Sequence, residues 1–302
     1  MDVARTPTGR KLQLAALLRY LRERRRLTQH EAGHAVWPKA SAGSVQNKLA
    51  RLESADAGIR QEDLYELLAV YDAVEGEYWE LASLLNTGLS QRGRWQGYRS
   101  IYSESYRRLI DLEEDAQSIR YVANERIPEL LHSESYVRAE FPRAVEGPSS
   151  DEEFTVQATL ARQQNVFFRD EPPAVATVLS ESALRRVQGD EAVMRQQIEF
   201  LLELSEHPHV TVQVVPFSAG AGRAGISHKG ILERFALLRL ALPGVTGGLP
   251  GHLDYVFTRT GEEICWQDDV RHYEDQWARA SEAALSPRGT RDFLRRVGRD
   301  FA

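Results

Sequence analysis

The apolar residues of the N-terminal quarter of the chain recur at the spacing of an amphipathic α-helix. The pattern is plainest in four leucines at the spacing i, i+3, i+4 and i+7, namely Leu14, Leu17, Leu18 and Leu21. Thr28 can cap a second short helix that Pro38 ends, and a third helix is predicted to begin after Ser44. Two more helices are predicted further on, at Gln61–Tyr71 and Glu75–Leu85. Residues 10–86 are therefore predicted to form an all-α domain of five short helices.

Beyond this region the pattern mixes helices with strands. Residues 87–97 have the composition of a loop and are predicted to be a linker. Helices are predicted at Tyr102–Ala123, Ser133–Phe141, Asp151–Phe168, Ser180–Val187, Glu191–Glu206 and Asp268–Leu285. Strands are predicted at Ala174–Leu179, Val210–Val215, Ile231–Leu240, Leu253–Thr258 and Glu262–Trp266. Residues 98–298 are therefore predicted to form a larger domain of mixed α/β (α+β) class.

The charge is distributed unevenly along the chain. Residues 1–60 carry 12 Lys or Arg and 5 Asp or Glu, a charge of +7, although the whole chain carries −6. The remaining residues therefore carry −13. A basic N-terminal domain joined to an acidic one is typical of a DNA-binding domain with a second domain attached. The alternative is a solvated basic helix at residues 19–26.

The composition also bears on localisation and chemistry. The apolar run Leu14–Leu18 is too short for a signal sequence or a membrane span, so no membrane association is expected. The single cysteine, Cys265, excludes an internal disulfide and fits a cytoplasmic protein. No G-x-S-x-G or C-x-x-C motif occurs, and we expect neither enzymatic activity nor a cofactor.

One short stretch, His30-Glu31-Ala32-Gly33-His34, matches the H-E-x-x-H motif of zinc proteases. On a helical wheel, Ala32, Gly33 and Val36 gather on one side, and both histidines point away from it. The histidines of a zinc protease must instead face a packed catalytic cleft. We therefore expect no metal, and we retain two alternatives: a zinc protease with Glu53 as third ligand, and a surface metal site on the two histidines.

The third predicted helix separates apolar from polar residues. Val45, Leu49 and Leu52 share one face, whereas Asn47 and Arg51 point outward with Gln46 and Lys48 beside them. Asn and Gln can pair with adenine, and Arg with guanine, in the major groove of DNA. The same stretch therefore predicts a helix that reads DNA. Gly33 is expected where the two helices approach too closely for a side chain.

These residues resemble the Xre/Cro-repressor class of helix-turn-helix domains. The resemblance rests on Leu21-Arg22, Arg25, Leu27-Thr28-Gln29, Glu31 and the run Lys48–Glu53. It implies a phosphate contact for Gln29, base reading by Gln46, Asn47 and Lys48, and a bracing or backbone contact for Arg51. With Ser44, these are the expected DNA-binding residues. The Val36–Ser44 segment is about six residues longer than the turn of that class, so the docking angle of the third helix stays open.

The second domain resembles a domain of unknown function found in actinobacterial, antitoxin-like helix-turn-helix regulators. Matching blocks are Ile127–Ala139, Ala161–Phe167, Leu179–Phe217 and Ala284–Ser286. The resemblance implies a sequence-specific transcriptional regulator that binds double-stranded DNA. We expect a homodimer, since two helix-turn-helix domains can then bind the two half-sites of one DNA operator. Candidates for further partners are a small protein encoded nearby and an unidentified small-molecule ligand. The alternative function is an antitoxin-like protein-interaction module whose DNA binding serves autoregulation.

Overall fold

In a computed structural model, the chain forms two compact units. The described residues are 3–87, 95, 98–99, 101–141, 149–219, 234–243, 251–258, 261–265 and 270–301. The N-terminal unit comprises Met1–Asp115 with Leu240–Leu253, and the sheet unit comprises Ala116–Arg239 with Asp254–Ala302. The predicted linker, residues 87–97, lies almost wholly outside the described residues. Residues 98–115 and 240–253 group with the N-terminal helices, although the sequence places them in the second domain.

The described part of the N-terminal unit is built from helices. They are α1 (Pro7–Arg24), α2 (Gln29–Val36), α3 (Ala42–Glu53), α4 (Gln61–Val70), α5 (Gly76–Thr87) and α6 (Glu104–Asp115). The apolar faces of α1 to α5 pack into one core cluster, in which Leu17, Leu49, Leu64 and Leu81 are fully buried. The apolar face predicted for α1 is confirmed, because the four leucines that define it, Leu14, Leu17, Leu18 and Leu21, are all buried.

Local caps decide where these helices begin. The Thr28 hydroxyl accepts the N–H of Glu31, and the Glu31 carboxylate accepts the N–H of Thr28, which completes a capping box on α2. The Ser41 hydroxyl accepts the N–H of Ser44, so α3 begins at Ala42 and not after Ser44. The connection between α2 and α3 is therefore residues 37–41, shorter than the sequence indicates.

Helix α6 stabilises the start of α1 through two carboxylates, the buried Asp111 and the half-buried Asp115. Asp115 accepts hydrogen bonds from the backbone N–H groups of Arg5 and Thr6 and from the Thr6 hydroxyl. The Thr8 hydroxyl donates to Asp111 at 2.5 Å. Burial raises the pKa of Asp111 to about 6 and also raises that of Asp115. These contacts give a physical reason why α6 belongs to the N-terminal unit.

The sheet unit carries a mixed sheet whose described strands follow the order β3-β2-β1-β4-β5-β6. The strands are β1 (Ala116–Ala123), β2 (Ala174–Ser180), β3 (Val210–Val215), β4 (Phe235–Ala241), β5 (His252–Thr258) and β6 (Gly261–Cys265). Strands β1, β2 and β3 are parallel, and β5 and β6 are antiparallel. The side chains of β6, Cys265 among them, and the predicted strand residues 231–233 and Trp266 lie outside the described residues.

Helices of the sheet unit connect and cover the strands, so the chain is α+β overall. They are α7 (Glu134–Arg138), α8 (Ser150–Phe167), α9 (Glu181–Arg185), α10 (Glu191–Leu204), α11 (Arg271–Ala283) and α12 (Pro287–Asp300), with a 3-10 turn at Glu129–Leu131. One core cluster joins Val122, Val178, Phe235 and Val256 of the strands to Ala280 of α11. Within the described residues, no helix is both long enough and apolar enough to span a membrane.

The structure corrects one predicted element and adds one that was not predicted. The helix predicted at Tyr102–Ala123 is wrong in its second half, because the chain changes from α6 to β1 at Asp115–Ala116. Strand pairing with β2, more than fifty residues away in sequence, outweighs the local helical pattern. Helix α12 is absent from the sequence prediction, although Thr290, Phe293, Leu294 and Val297 follow a helical spacing behind the Ser286 cap.

Candidate nucleic-acid interface

Helix α3 is held against α2 by close packing. Val45, Leu49 and Leu52 are buried, which confirms the predicted apolar face. Gly33 of α2 faces Val45, and a Cβ atom added at Gly33 would lie 2.5 Å from Val45 Cγ1. Ordinary carbon–carbon contacts are about 3.5–4.0 Å. The expectation that no side chain fits at Gly33 is therefore confirmed.

The opposite side of α3 is polar and exposed. Ser44, Gln46, Asn47 and Arg51 are all exposed there. Asn47 and Arg51 lie one helical turn apart, so their side chains share a ridge. Among the described residues, the side chains of Gln46, Asn47 and Arg51 make no hydrogen bond or ion pair. They leave amide and guanidinium groups available to an external partner.

Lys48 is exposed as well, but the structure places it in a cluster with the connecting segment and α4. Its Nζ lies 3.7 Å from the centre of the Trp37 ring and 3.3 Å from Oδ2 of Asp63. Trp37 Nε1 donates to Oδ1 of the same carboxylate, and Arg60 also donates to it. Burial acts to raise the pKa of Asp63, but these donors outweigh it and hold the pKa below its ordinary value. Lys48 is thus positioned beside α3 instead of pointing straight outward.

Gln29, the expected phosphate-contacting residue, joins a partly buried polar network. Arg22 donates to both carboxylate oxygens of Glu53, with Nε–Oε1 at 2.6 Å and Nη2–Oε2 at 2.9 Å. Gln29 Nε2 donates to Oε2 of the same carboxylate at 3.0 Å. The hydrogen bond to Glu53 raises the pKa of Arg22. The network connects the ends of α1 and α3 with the start of α2, and it fixes the Gln29 amide.

The same contacts bear on the zinc-protease alternative. His30 and His34 are exposed and stack with ring centres 5.8 Å apart, as the helical wheel predicts. Glu31 serves the capping box, and Glu53, the supposed third ligand, is paired with Arg22. Hydrogen bonds from Thr28 hold the pKa of Glu31 below its ordinary value. Both carboxylates that a zinc protease would need thus have structural roles in the N-terminal unit.

Trp37, Asp63, Glu53 and Arg22 hold polar side chains of α2 and α3 in place, a role that the sequence did not predict for them. Asp63 and Trp37 position Lys48, and Glu53, which is itself bound by Arg22, positions Gln29. The local sequence offers a tryptophan in a loop and an acidic residue in the first turn of α4. Their pairing spans 26 residues, which no local pattern indicates.

A comparison with known families assigns the larger part of the chain. The model of a domain of unknown function, DUF5753, matches residues 106–296. Because that match covers more than half of the sequence, the protein belongs to the DUF5753 family. The match confirms that the C-terminal part is a domain of unknown function. No curated protein and no solved structure matches the chain.

Proposed function

We propose that the protein is a sequence-specific DNA-binding transcriptional regulator of the Xre helix-turn-helix type. In this proposal α2 and α3 form the helix-turn-helix, and α3 lies in the major groove. The observation that carries it is the division of α3 into two faces. Val45, Leu49 and Leu52 are buried against the scaffold. Asn47 and Arg51 are exposed on the opposite ridge, and their side chains make no hydrogen bond or ion pair within the part of the chain that the structure describes. A helix that reads bases needs such a free polar face on a rigid support.

Charge supports the same proposal. The +7 charge of residues 1–60 would attract phosphate, and neutralising phosphates releases counterions. Gln29 lies in the first turn of α2, and its amide nitrogen is fixed by Glu53. In this proposal Gln29 and Ser44 contact the DNA backbone, and Gln46 and Asn47 contact bases. Arg51 is assigned to a base, instead of the bracing or backbone contact that the resemblance implies, because it is exposed on the same ridge as Asn47. Lys48 is assigned to the margin of the interface, instead of to a base, because Asp63 holds it beside α3. The sheet unit then dimerises the DNA-binding domains or responds to a partner, and no catalytic role is assigned to it.

The experiment selects bound sequences from random duplex DNA with the full-length protein, then measures affinity for the selected site. We expect Asn47→Ala and Arg51→Ala each to weaken binding by about 5-fold to 150-fold, the equivalent of about 1–3 kcal/mol for a lost base contact. Asn47→Ala should also relax base preference at one position. Arg279→Ala is the matched control, because Arg279 is an exposed arginine of α11 in the sheet unit.

Two outcomes would overturn the proposal. One is the absence of any enriched sequence at low salt, where phosphate contacts are strongest. The other is specific binding that survives both substitutions at full affinity, since α3 would then present the wrong face.

A further inference from the structure

Helix α12 carries a row of arginines on its outward side. The arginine stripe consists of Arg288, Arg291, Arg295 and Arg299. At about 100° per residue these four positions fall within about 80° of one another on the helix. Phe293, Leu294 and Val297 are buried on the opposite side. The stripe therefore points directly away from the core of the sheet unit.

The neighbouring helix carries the opposite charge. The glutamate stripe consists of Glu199 and Glu203 on α10 and Glu206 in the turn that follows it, all exposed. Met194, Ile198 and Leu201 are buried on the other side of α10. The two helices pack together, since a Cβ atom added at Gly298 of α12 would lie 3.4 Å from Cγ2 of Ile198. Two stripes of opposite sign thus lie on adjacent helices.

Neither stripe is neutralised within the described part of the chain. Arg288, Arg291 and Arg299 have no ion-pair partner among the described residues. Arg295 pairs only with Asp292 of its own helix, at 3.0 Å. The three glutamates likewise have no ion-pair partner among these residues. Other exposed arginines of the sheet unit do pair with a carboxylate, for example Arg186 with Glu125.

We propose that the two stripes form an isologous interface between two copies of this chain, the α10 stripe of one protomer contacting the α12 stripe of the other. A surface with two adjacent stripes of opposite charge is complementary to itself under a two-fold rotation, which generates both contacts at once. Arginine suits this role because its planar guanidinium binds a carboxylate through two hydrogen bonds.

The spacing of the charges fits an antiparallel approach of α10 and its partner's α12. From Glu206 back to Glu203 and Glu199 the steps are three and four residues, as they are from Arg288 to Arg291 and Arg295. Both sets therefore advance by about 4.5 Å and then about 6 Å along the helix axis. The register pairs Glu206 with Arg288. It also pairs Glu203 with Arg291 and Glu199 with Arg295. One further step of four residues on each helix places Arg195 opposite Arg299, so the attractive register comprises these three pairs and ends there.

This interface would be the surface through which the proposed regulator dimerises. The inference rests on the proposed function only for what the dimer does, namely bind DNA. A dimer would bring two α3 helices to the same DNA molecule, as binding to a pair of half-sites requires. The pairing itself can be tested without DNA.

The test reverses charges on the full-length chain and measures mass by sedimentation equilibrium. The arginine-reversed variant is Arg288→Glu with Arg291→Glu, and the glutamate-reversed variant is Glu203→Arg with Glu206→Arg. We expect the wild type to be dimeric and the dissociation constant to rise at least about tenfold in each variant, because like charges then face one another. Mixing the two variants should restore a heterodimer, since both contacts become complementary again. Arg279→Glu is the control and should stay dimeric.

Restored dimers in the mixture also show that both variants are folded. A monomeric wild type, a mixture that stays monomeric, or variants that dimerise as well as the wild type would each overturn the inference. Variants that stay dimeric but lose DNA affinity would assign the arginine stripe to phosphate binding instead. A dimer that passes this test without binding any DNA would refute the proposed function alone.

Discussion

Gly33 offers a direct test of how closely α2 and α3 pack. Replacing it with alanine places a Cβ atom 2.5 Å from Val45 Cγ1 and 3.4 Å from the Val45 carbonyl oxygen. Val45 is buried, and a valine in a helix has one strongly preferred rotamer, so its side chain cannot turn away. The overlap of about 1 Å must then be relieved by moving one helix away from the other.

Two opposing effects set the size of the change. Alanine is a better helix former than glycine by about 1 kcal/mol in a helix interior. Overpacking a well-packed core costs about 1–3 kcal/mol, and an overlap of this size falls at the upper end. We therefore expect Gly33→Ala to lower the free energy of unfolding by about 1–2 kcal/mol.

Urea unfolding followed by circular dichroism measures this loss. Gly43→Ala is the matched control, because Gly43 lies in α3 and a Cβ atom there has no neighbour within 4 Å. That control should be neutral or stabilising by up to about 1 kcal/mol. In a Val45→Ala background, which removes the clashing methyl group, Gly33→Ala should lose its penalty. Equal stabilisation by Gly33→Ala in both backgrounds would refute the close approach of the helices.

Two further predictions concern buried charges in the N-terminal unit. Glu53→Ala should lower the free energy of unfolding by about 3–5 kcal/mol, because it leaves the partly buried Arg22 without its counter-charge. Glu53→Gln is the milder control. A loss below about 1 kcal/mol for Glu53→Ala in urea unfolding would contradict the pairing. Asp111 has a raised folded-state pKa of about 6, so the folded state holds a proton that the unfolded state releases near pH 4. Asp111 should therefore contribute a loss of up to about 3 kcal/mol of stability as the pH rises from about 4 to about 6. Asp111→Asn should reduce that slope and leave the part due to Asp115, whose pKa is raised as well; an unchanged pH profile in the variant would exclude Asp111 as a source.

The sequence alone determines the local features of this protein. The outward position of His30 and His34, the cap at Thr28 and the buried face of α3 all follow from residues within about one or two helical turns of each other. The helical period and the capping hydrogen bonds act over that range, so they can be recognised without a fold. Helix α12 is also a local feature. The spacing of its apolar residues and its start at Ser286–Pro287 can be recognised in the sequence, although this helix is not among the predicted elements.

Only the tertiary structure decides features that depend on residues far apart in the chain. Residues 116–123 continue a helical-looking pattern, yet they become a strand because β2 supplies their hydrogen-bond partners. The bond between Arg22 and Glu53 joins positions 31 apart. The contact of α10 with α12 brings two charged stripes side by side across about a hundred residues. A local pattern carries no information on such pairings, because their free energy appears only when the intervening chain has folded and the loop entropy has been overcome.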